Sequence, residues 1–370
     1  MHKSILLFLL LFMFTTLNKS VVQAQETAQF KWSKLSPIPN KIGFAGSFAG
    51  VANGALIVAG GANFPDGGAP WTGSVKAWSN QIFVLEQLNA QWKTVGELPQ
   101  ALGYGASINY KNALIILGGS NEKGHYADVL MLNYKNGAIE ISKLPNLPHP
   151  IANTCAVLLG DVIYVIGGIE NPDSKTASQN FWSLDLAAKN KEWKTLQTWP
   201  GVARMLSVAG AQNGSIYLFS GVELINGNRR YLKDAYQYSP KTGWAKIADL
   251  PNAVAAAPTP AYAYGKNHLM VFGGDDGTDA PNAATLKEQH PGFSNQILSY
   301  HTSTNSWVKA GKVITEKKND AISNPNQSTW APVTTTLTVW HGNVILPSGE
   351  VRPATRTPNV LMATPHQSIK

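Results

Sequence analysis

Apolar positions along the chain gather into short runs that end in two small residues. ALIVAGG (55–61), ALIILGG (113–119), VIYVIGG (162–168), SIYLFSG (215–221), HLMVFGG (268–274) and NVILPSG (343–349) repeat one design. Runs of this length, rich in branched side chains and stopped by Gly-Gly or Ser-Gly, predict buried strands, being too short for helices. After each comes a polar loop of variable length and a second strand-like run: NQIFVLEQL, ADVLMLNY, QNFWSLDL, KDAYQYSP, NQILSYHT and NVLMAT. A third element follows the first five, usually opened by Trp: Trp92-Lys93-Thr94-Val95, Trp193-Lys194-Thr195-Leu196, Trp244-Ala245-Lys246-Ile247 and Trp307-Val308-Lys309, with Ile139 in place of Trp in IEISKLPNLP. The sixth copy ends without it, and the missing element stands at the other end of the chain as Trp32-Ser33-Lys34-Leu35-Ser36-Pro37-Ile38-Pro39.

Six copies of a small antiparallel unit, none able to cover both its faces alone, predict a closed ring in which neighbours make the core. The terminal arithmetic predicts how the ring closes, with the N-terminal strand completing the last blade. The expected fold is therefore all-β, a six-bladed β-propeller of kelch-type repeats. The Trp residues are expected to pack between blades, and the small pairs to allow the tight backbone at the strand ends.

Composition agrees with short strands joined by turns: charged residues are only 14% of the chain, while Gly (33) and Pro (22) are plentiful. Residues 1–24 depart from this pattern. A basic start (His2, Lys3), the apolar run Ile5–Phe14 and the small-residue ending Val22-Gln23-Ala24 predict a cleaved secretory signal, too short for a membrane anchor. Residues 25–370 are then one exported, periplasmic domain with no membrane insertion. The basic balance has no clustered Lys/Arg run, so nucleic acid is not an expected partner. Cys155 is the single cysteine and lies in an apolar run, which predicts a buried thiol and no intramolecular disulfide.

A propeller places ligands at the mouth of its central funnel, so candidate chemistry is whatever the repeat does not explain. The sixth copy stands out: Ser348-Gly349-Glu350 is followed by Arg352 and Arg356, in a short loop held by Pro353 and Pro358. On these residues alone a surface ion pair is the better reading. Copy four has a looser counterpart in Gly221-Val222-Glu223 with Arg229 and Arg230, read as solvated charge. Arg204, ahead of the fourth run, is placed to face the funnel. Asp275-Asp276-Gly277-Thr278-Asp279 lacks the sixth-position Gly and terminal Glu of an EF-hand and reads as a hydrogen-bonded turn. The eight His show no metal-ligand spacing, and neither GxSxG nor a phosphate-binding Gly-rich loop is present. A sialidase is disfavoured by the lack of a Ser-x-Asp-x-Gly-x-Thr-Trp box, and a copper radical oxidase by the setting of Cys155.

GFAGSFAGVANGALIVAGGANF, WKTVGELPQALGYGASINYKNALIILGGSNEKG and Gly349–Arg356 resemble segments of the kelch-propeller N-acetylneuraminate epimerases, the sialic-acid mutarotases. The likeness is in circularly shifted order, similar to a cyclically permuted branch of that family. A closed ring tolerates such a shift, because every blade keeps its neighbours. The resemblance implies an isomerase that interconverts the α and β anomers of an acidic sugar, with no metal or organic cofactor. It carries the catalytic roles to Glu350 and Arg356, six residues apart in Gly349-Glu350-Val351-Arg352-Pro353-Ala354-Thr355-Arg356-Thr357, and substrate-binding roles to Arg352 and to Arg204 in Pro200-Gly201-Val202-Ala203-Arg204. The alternative is a non-catalytic propeller that binds carbohydrate or protein.

Overall fold

The computed structural model describes residues 30–366, so the expected export signal lies outside the described residues. The strands form six four-stranded antiparallel sheets arranged as a six-bladed β-propeller. The first blade is Phe48–Ala52, Ala55–Ala59, Gln81–Leu85 and Lys93–Glu97, from the axis outward. The next four blades repeat this order along the chain. In the sixth, Thr338–Trp340, Asn343–Pro347 and Val360–Pro365 come from the C-terminal end, and Phe30–Leu35 pairs antiparallel with Val360–Pro365 as the outermost strand. The ring is thus latched by its N-terminal strand, as the chain-end arithmetic requires.

Three elements per copy were expected, and each blade has a fourth, which lies innermost. The small-small runs are therefore the second strands. Two of the inner strands, Tyr262–Tyr264 and Thr338–Trp340, have only three residues each, whereas the apolar run that holds Cys155 is itself the inner strand Cys155–Leu159.

Side chains of adjacent blades interdigitate to make the core. Phe48, Ile57 and Ile82 of the first blade pack with Leu114, Ile116 and Leu132 of the second, and Leu35, Trp340 and Ile345 of the sixth with Leu56, Phe83 and Trp92 of the first. The repeat tryptophans add a directional tie. Indole N–H groups of Trp92, Trp193, Trp244 and Trp307 donate to the carbonyls of Ser36, Pro145, Gln197 and Ala248, each just beyond the outer strand of the preceding blade. Each tie satisfies a polar atom that would otherwise be left unpaired beside the apolar face its ring covers.

Two backbone devices set up the funnel. At the end of every second strand two consecutive residues take positive φ; the first is Gly or Ser (Ser220 at 56°, Ser348 at 62°) and the second always Gly (95° to 126°). The second value is open in practice only to glycine, which accounts for the repeat's signature. Immediately inside, one residue per blade forms a girdle around the axis. Gly46, Tyr104, Asn153, Leu206, Ala256 and Thr334 all have φ between 52° and 66°. Each N–H donates to the carbonyl of the girdle residue in the preceding blade: Tyr104 to Gly46, Asn153 to Tyr104, Leu206 to Asn153, Ala256 to Leu206, Thr334 to Ala256, and Gly46 back to Thr334, at 2.7 to 2.9 Å. Six bonds close the circle and fix the blades' mutual rotation at the narrowest point of the channel.

Candidate active site

On one side of the girdle the channel opens into a cavity of about 520 Å³, large enough for a monosaccharide. Its wall is set by an equivalence among blades. The residue that follows each small pair bridges back to the residue before the girdle position, and the six are Ala62, Ser120, Ile169, Val222, Asp275 and Glu350. Blades five and six thus aim carboxylates into a position where the others carry small or apolar side chains. Glu350 and Asp275 both line the cavity, with Glu122, Lys76, Arg229 and Arg356 as its other charged residues. Trp78, Tyr104 and Phe293 supply aromatic surface and Asn121, Asn153 and His125 further polar groups.

Glu350 is built in by its hairpin. Glu350–Arg352 pairs with Thr355–Arg356, with Ala354 at φ 62° in the turn, and Glu350 stands directly opposite Arg356. Glu350 Oε1 accepts from the Ala354 N–H at 2.8 Å and from Arg356 Nη1 at 3.3 Å. Arg356 Nη2 lies 3.4 Å from the Tyr104 hydroxyl and its guanidinium 4.9 Å from the Phe64 ring centroid. The side chain of Arg356 is 5% exposed and that of Glu350 21%, so the arginine is the buried member of the pair and the carboxylate the member facing the cavity. Burial opposes the arginine's charge, but Glu350 and Tyr104 outweigh it and move its pKa upward. Ser348 anchors the hairpin: its hydroxyl oxygen accepts from the Phe44 N–H and lies 2.6 Å from the Thr357 carbonyl, to which it donates.

The other two sequence candidates are not brought to this cavity. Period-two alternation would put Arg352 on the same face as Glu350, but a bulge between them breaks the register and turns Arg352 away. Its guanidinium instead donates to the carbonyls of Glu288, Ala321 and Ile322 and stacks 5.3 Å from the Trp330 ring, 2% exposed. Arg204 is fully buried. Its two Nη atoms bind Asp234 at 2.9 and 2.7 Å, Nη1 also reaches the Ser220 carbonyl, and Trp199 and Tyr236 flank it. The expectation that these two arginines contact substrate is not met in this cavity, which neither of them lines: Arg204 is committed to Asp234 and backbone carbonyls, and the Arg352 Nη atoms to backbone carbonyls, while its buried Nε has no partner among the described residues.

Sequence reasoning passed over Lys76, Trp78, Tyr104 and His125, and it read Arg229 as solvated charge and Asp275 as part of a turn, whereas all six line the cavity. For Asp275 a signal existed, since it occupies the same place after Gly273-Gly274 that Glu350 occupies after Ser348-Gly349. Its carboxylate accepts from the Tyr231 hydroxyl at 2.6 Å and from the Gly277 N–H at 3.0 Å, and Asp276 accepts from the Thr278 N–H, so Asp275–Asp279 is the hydrogen-bonded turn expected of it. His125 has Nδ1 3.1 Å from the Ile169 carbonyl. That oxygen can only accept, so Nδ1 carries the proton, and burial lowers the ring's pKa, favouring the neutral form with Nε2 as acceptor. Cys155 is buried on the inner strand of blade three, and burial pushes its thiol up to about 12, which leaves it no nucleophilic role.

The N-acetylneuraminate epimerase family model matches residues 15–141 and 144–278. Glu350 and Arg356 lie beyond both matched segments. Among named relatives, the N-acetylneuraminate epimerase of Haemophilus influenzae (strain 86-028NP) is 26% identical over 234 residues, 58% of this chain and 57% of that relative. N-acetylneuraminate epimerase 1 of Escherichia coli O6:H1 is 36% identical over 124 residues, 31% of this chain and 33% of the relative. The chain thus spans between a third and little more than half the length of these two relatives. The solved structure of YjhT overlays with a TM-score of 0.63 over 90% of this chain and 97% of that one at 15% identity, a likeness of fold. With the family model covering well over half its length, the chain belongs to the N-acetylneuraminate epimerase family.

Proposed function

We propose that the protein is a mutarotase that interconverts the α and β anomers of N-acetylneuraminic acid, acting in the periplasm after export. The observation that carries this reading is the carboxylate of Glu350, presented to a monosaccharide-sized cavity by a buried arginine in a chain of this family. Names of the relatives supply the sugar, and the apolar segment at residues 1–24 supports the compartment.

The chemistry needs only proton transfers. Glu350 takes the proton of the anomeric hydroxyl as general base, the bond from the anomeric carbon to the ring oxygen opens, and the ring oxygen is protonated. Rotation about the bond to the new carbonyl carbon and closure on its other face yield the second anomer. Arg356 balances the charge of Glu350 throughout, while Lys76 and Arg229 are the cavity cations free to face the sugar's own carboxylate.

The test is proton NMR on freshly released α anomer with purified protein, run against N-acetylneuraminate first and then neutral sugars. Exchange above the spontaneous rate for the acidic sugar is expected. Exchange no faster than in buffer, with the sugar still bound, would make the protein a binding propeller instead.

A further inference from the structure

Five of the six girdle residues are accounted for by their backbones, and Tyr104 is not. The girdle uses only N–H and carbonyl groups, so any residue that tolerates a left-handed conformation will serve, and the other blades use Gly, Asn, Leu, Ala and Thr. A bulky aromatic at φ 61°, like Leu206 and the β-branched Thr334 in the girdle, is a disfavoured occupant and carries strain of about 1–3 kcal/mol. Its ring is seated with care. Lys76 Nζ lies 4.1 Å from the ring centroid, and a Cβ on Gly46 would fall 2.6 Å from Tyr104 Cδ1, so the one glycine of the girdle is the neighbour that makes room. The side chain lines both the waist of the channel and the cavity that holds Glu350.

Resting on the anomerisation reading above, we propose that Tyr104 is the acid partner of Glu350, a catalytic phenol that protonates the ring oxygen as Glu350 deprotonates the anomeric hydroxyl. The geometry is that of a fork. Arg356 offers Nη1 to Glu350 Oε1 at 3.3 Å and Nη2 to the Tyr104 hydroxyl oxygen at 3.4 Å, so one planar guanidinium sets the spacing of base and acid. Both contacts are long, as catalytic hydrogen bonds often are before substrate is bound. Because the phenol oxygen accepts from Arg356, its own proton is directed elsewhere, and among the described residues it is donated to no protein acceptor. In a cyclic hemiketal the anomeric hydroxyl and the ring oxygen sit on one carbon, and a base and an acid held side by side match that pair.

The step balances. In opening, the anomeric O–H proton goes to Glu350 and its bonding pair becomes the second bond of the carbonyl. The ring C–O pair goes to the ring oxygen, which takes the phenol proton. The protein then holds a neutral Glu350 and a Tyr104 phenolate, with Arg356 as their common cation. In closure the phenolate recovers its proton from the open-chain hydroxyl, that oxygen attacks the other carbonyl face, and Glu350 returns its proton to the carbonyl oxygen. Both residues end as they began, and Arg356 acts as a positioning residue that does not itself transfer a proton.

The experiment compares the parent chain, Tyr104→Phe and Glu350→Gln by NMR anomer exchange of N-acetylneuraminate, with calorimetric binding and a proton inventory in H2O/D2O mixtures. Tyr104→Phe should slow exchange by about 10²–10³-fold while binding changes less than threefold. The parent's inventory should be curved, reporting two protons in flight. Exchange by Tyr104→Phe within threefold of the parent, with Glu350→Gln inactive, overturns the phenol and leaves the anomerisation reading standing. A parent that fails to exceed the spontaneous rate overturns both. Should Tyr104→Phe not fold, a strictly linear inventory in the parent contradicts the two-proton step by itself.

Discussion

Blades four and six each place a glutamate and an arginine across a hairpin, Glu223 opposite Arg230 and Glu350 opposite Arg356. Both pairs form ion contacts, yet only one lines the cavity. The difference is a register of one residue. After Ser220-Gly221 the bridging position is taken by Val222, so Glu223 falls on the next residue and points to the other face, whereas after Ser348-Gly349 the bridging residue is Glu350 itself. The hairpin lengths finish the separation. Ser215–Ile225 and Asn228–Ser239 extend well past the funnel, leaving the Arg230 side chain 55% exposed, while the turn at Ala354 folds Arg356 under Glu350 and leaves it 5% exposed. The same two residue types therefore make a pair with a solvated arginine in one blade and a pair with a buried arginine at the cavity wall in another.

This contrast is open to direct attack by substitution. The largest stability effect is expected at Arg356→Met, which strips a largely buried carboxylate of its cation and should cost about 3 kcal/mol in urea unfolding, against less than about 0.5 kcal/mol for Arg230→Met. Equal costs would show that burial does not separate the pairs.

Asp234 provides a buried pair without a cavity. Burial raises its pKa, but hydrogen bonds and charge from Arg204 more than offset this and hold it below its ordinary 3.8. A carboxylate with a depressed folded pKa contributes stability above the unfolded value and loses it as pH falls through the folded one. Asp234→Asn should thus cost about 2–3 kcal/mol at pH 7, with the gap from the parent shrinking as pH drops below about 4, while anomer exchange by the folded variant is unchanged.

Gly46→Ala comes next. It adds a side chain at φ 66° and drives a Cβ to 2.6 Å from the Tyr104 ring, so a loss of about 2 kcal/mol is expected in thermal unfolding. At least tenfold slower exchange should accompany it. Smallest of all, Glu223→Gln should leave both stability and exchange at parental values.

The repeat announced the fold because its signals are local: apolar runs, left-handed small pairs and tryptophans each report one strand end or one blade contact. The inner strands of blades five and six were hidden for the opposite reason, as Tyr262–Tyr264 and Thr338–Trp340 have too few residues to show a period. At the site, Glu350 and Arg356 were legible as a segment that departs from the repeat, but on the residues alone a surface pair was the better reading, and the family resemblance is what lifted them to candidates. Arg352 was named for its charge in the same segment, and a bulge that the residue pattern does not reveal turns it from the cavity. Asp275 could have been found by aligning the residue after each small pair. Tyr104 could not, because its meaning depends on a girdle of backbone bonds between positions about fifty residues apart.

The central claim is that the carboxylate of blade six transfers the proton and its counterpart in blade four does not. NMR exchange of freshly released α-N-acetylneuraminate by Glu350→Gln and Glu223→Gln, side by side with the parent, tests it most directly. Glu350→Gln should fall by about 10²–10⁴-fold toward the spontaneous rate while Glu223→Gln matches the parent. Parental exchange in Glu350→Gln would contradict the account.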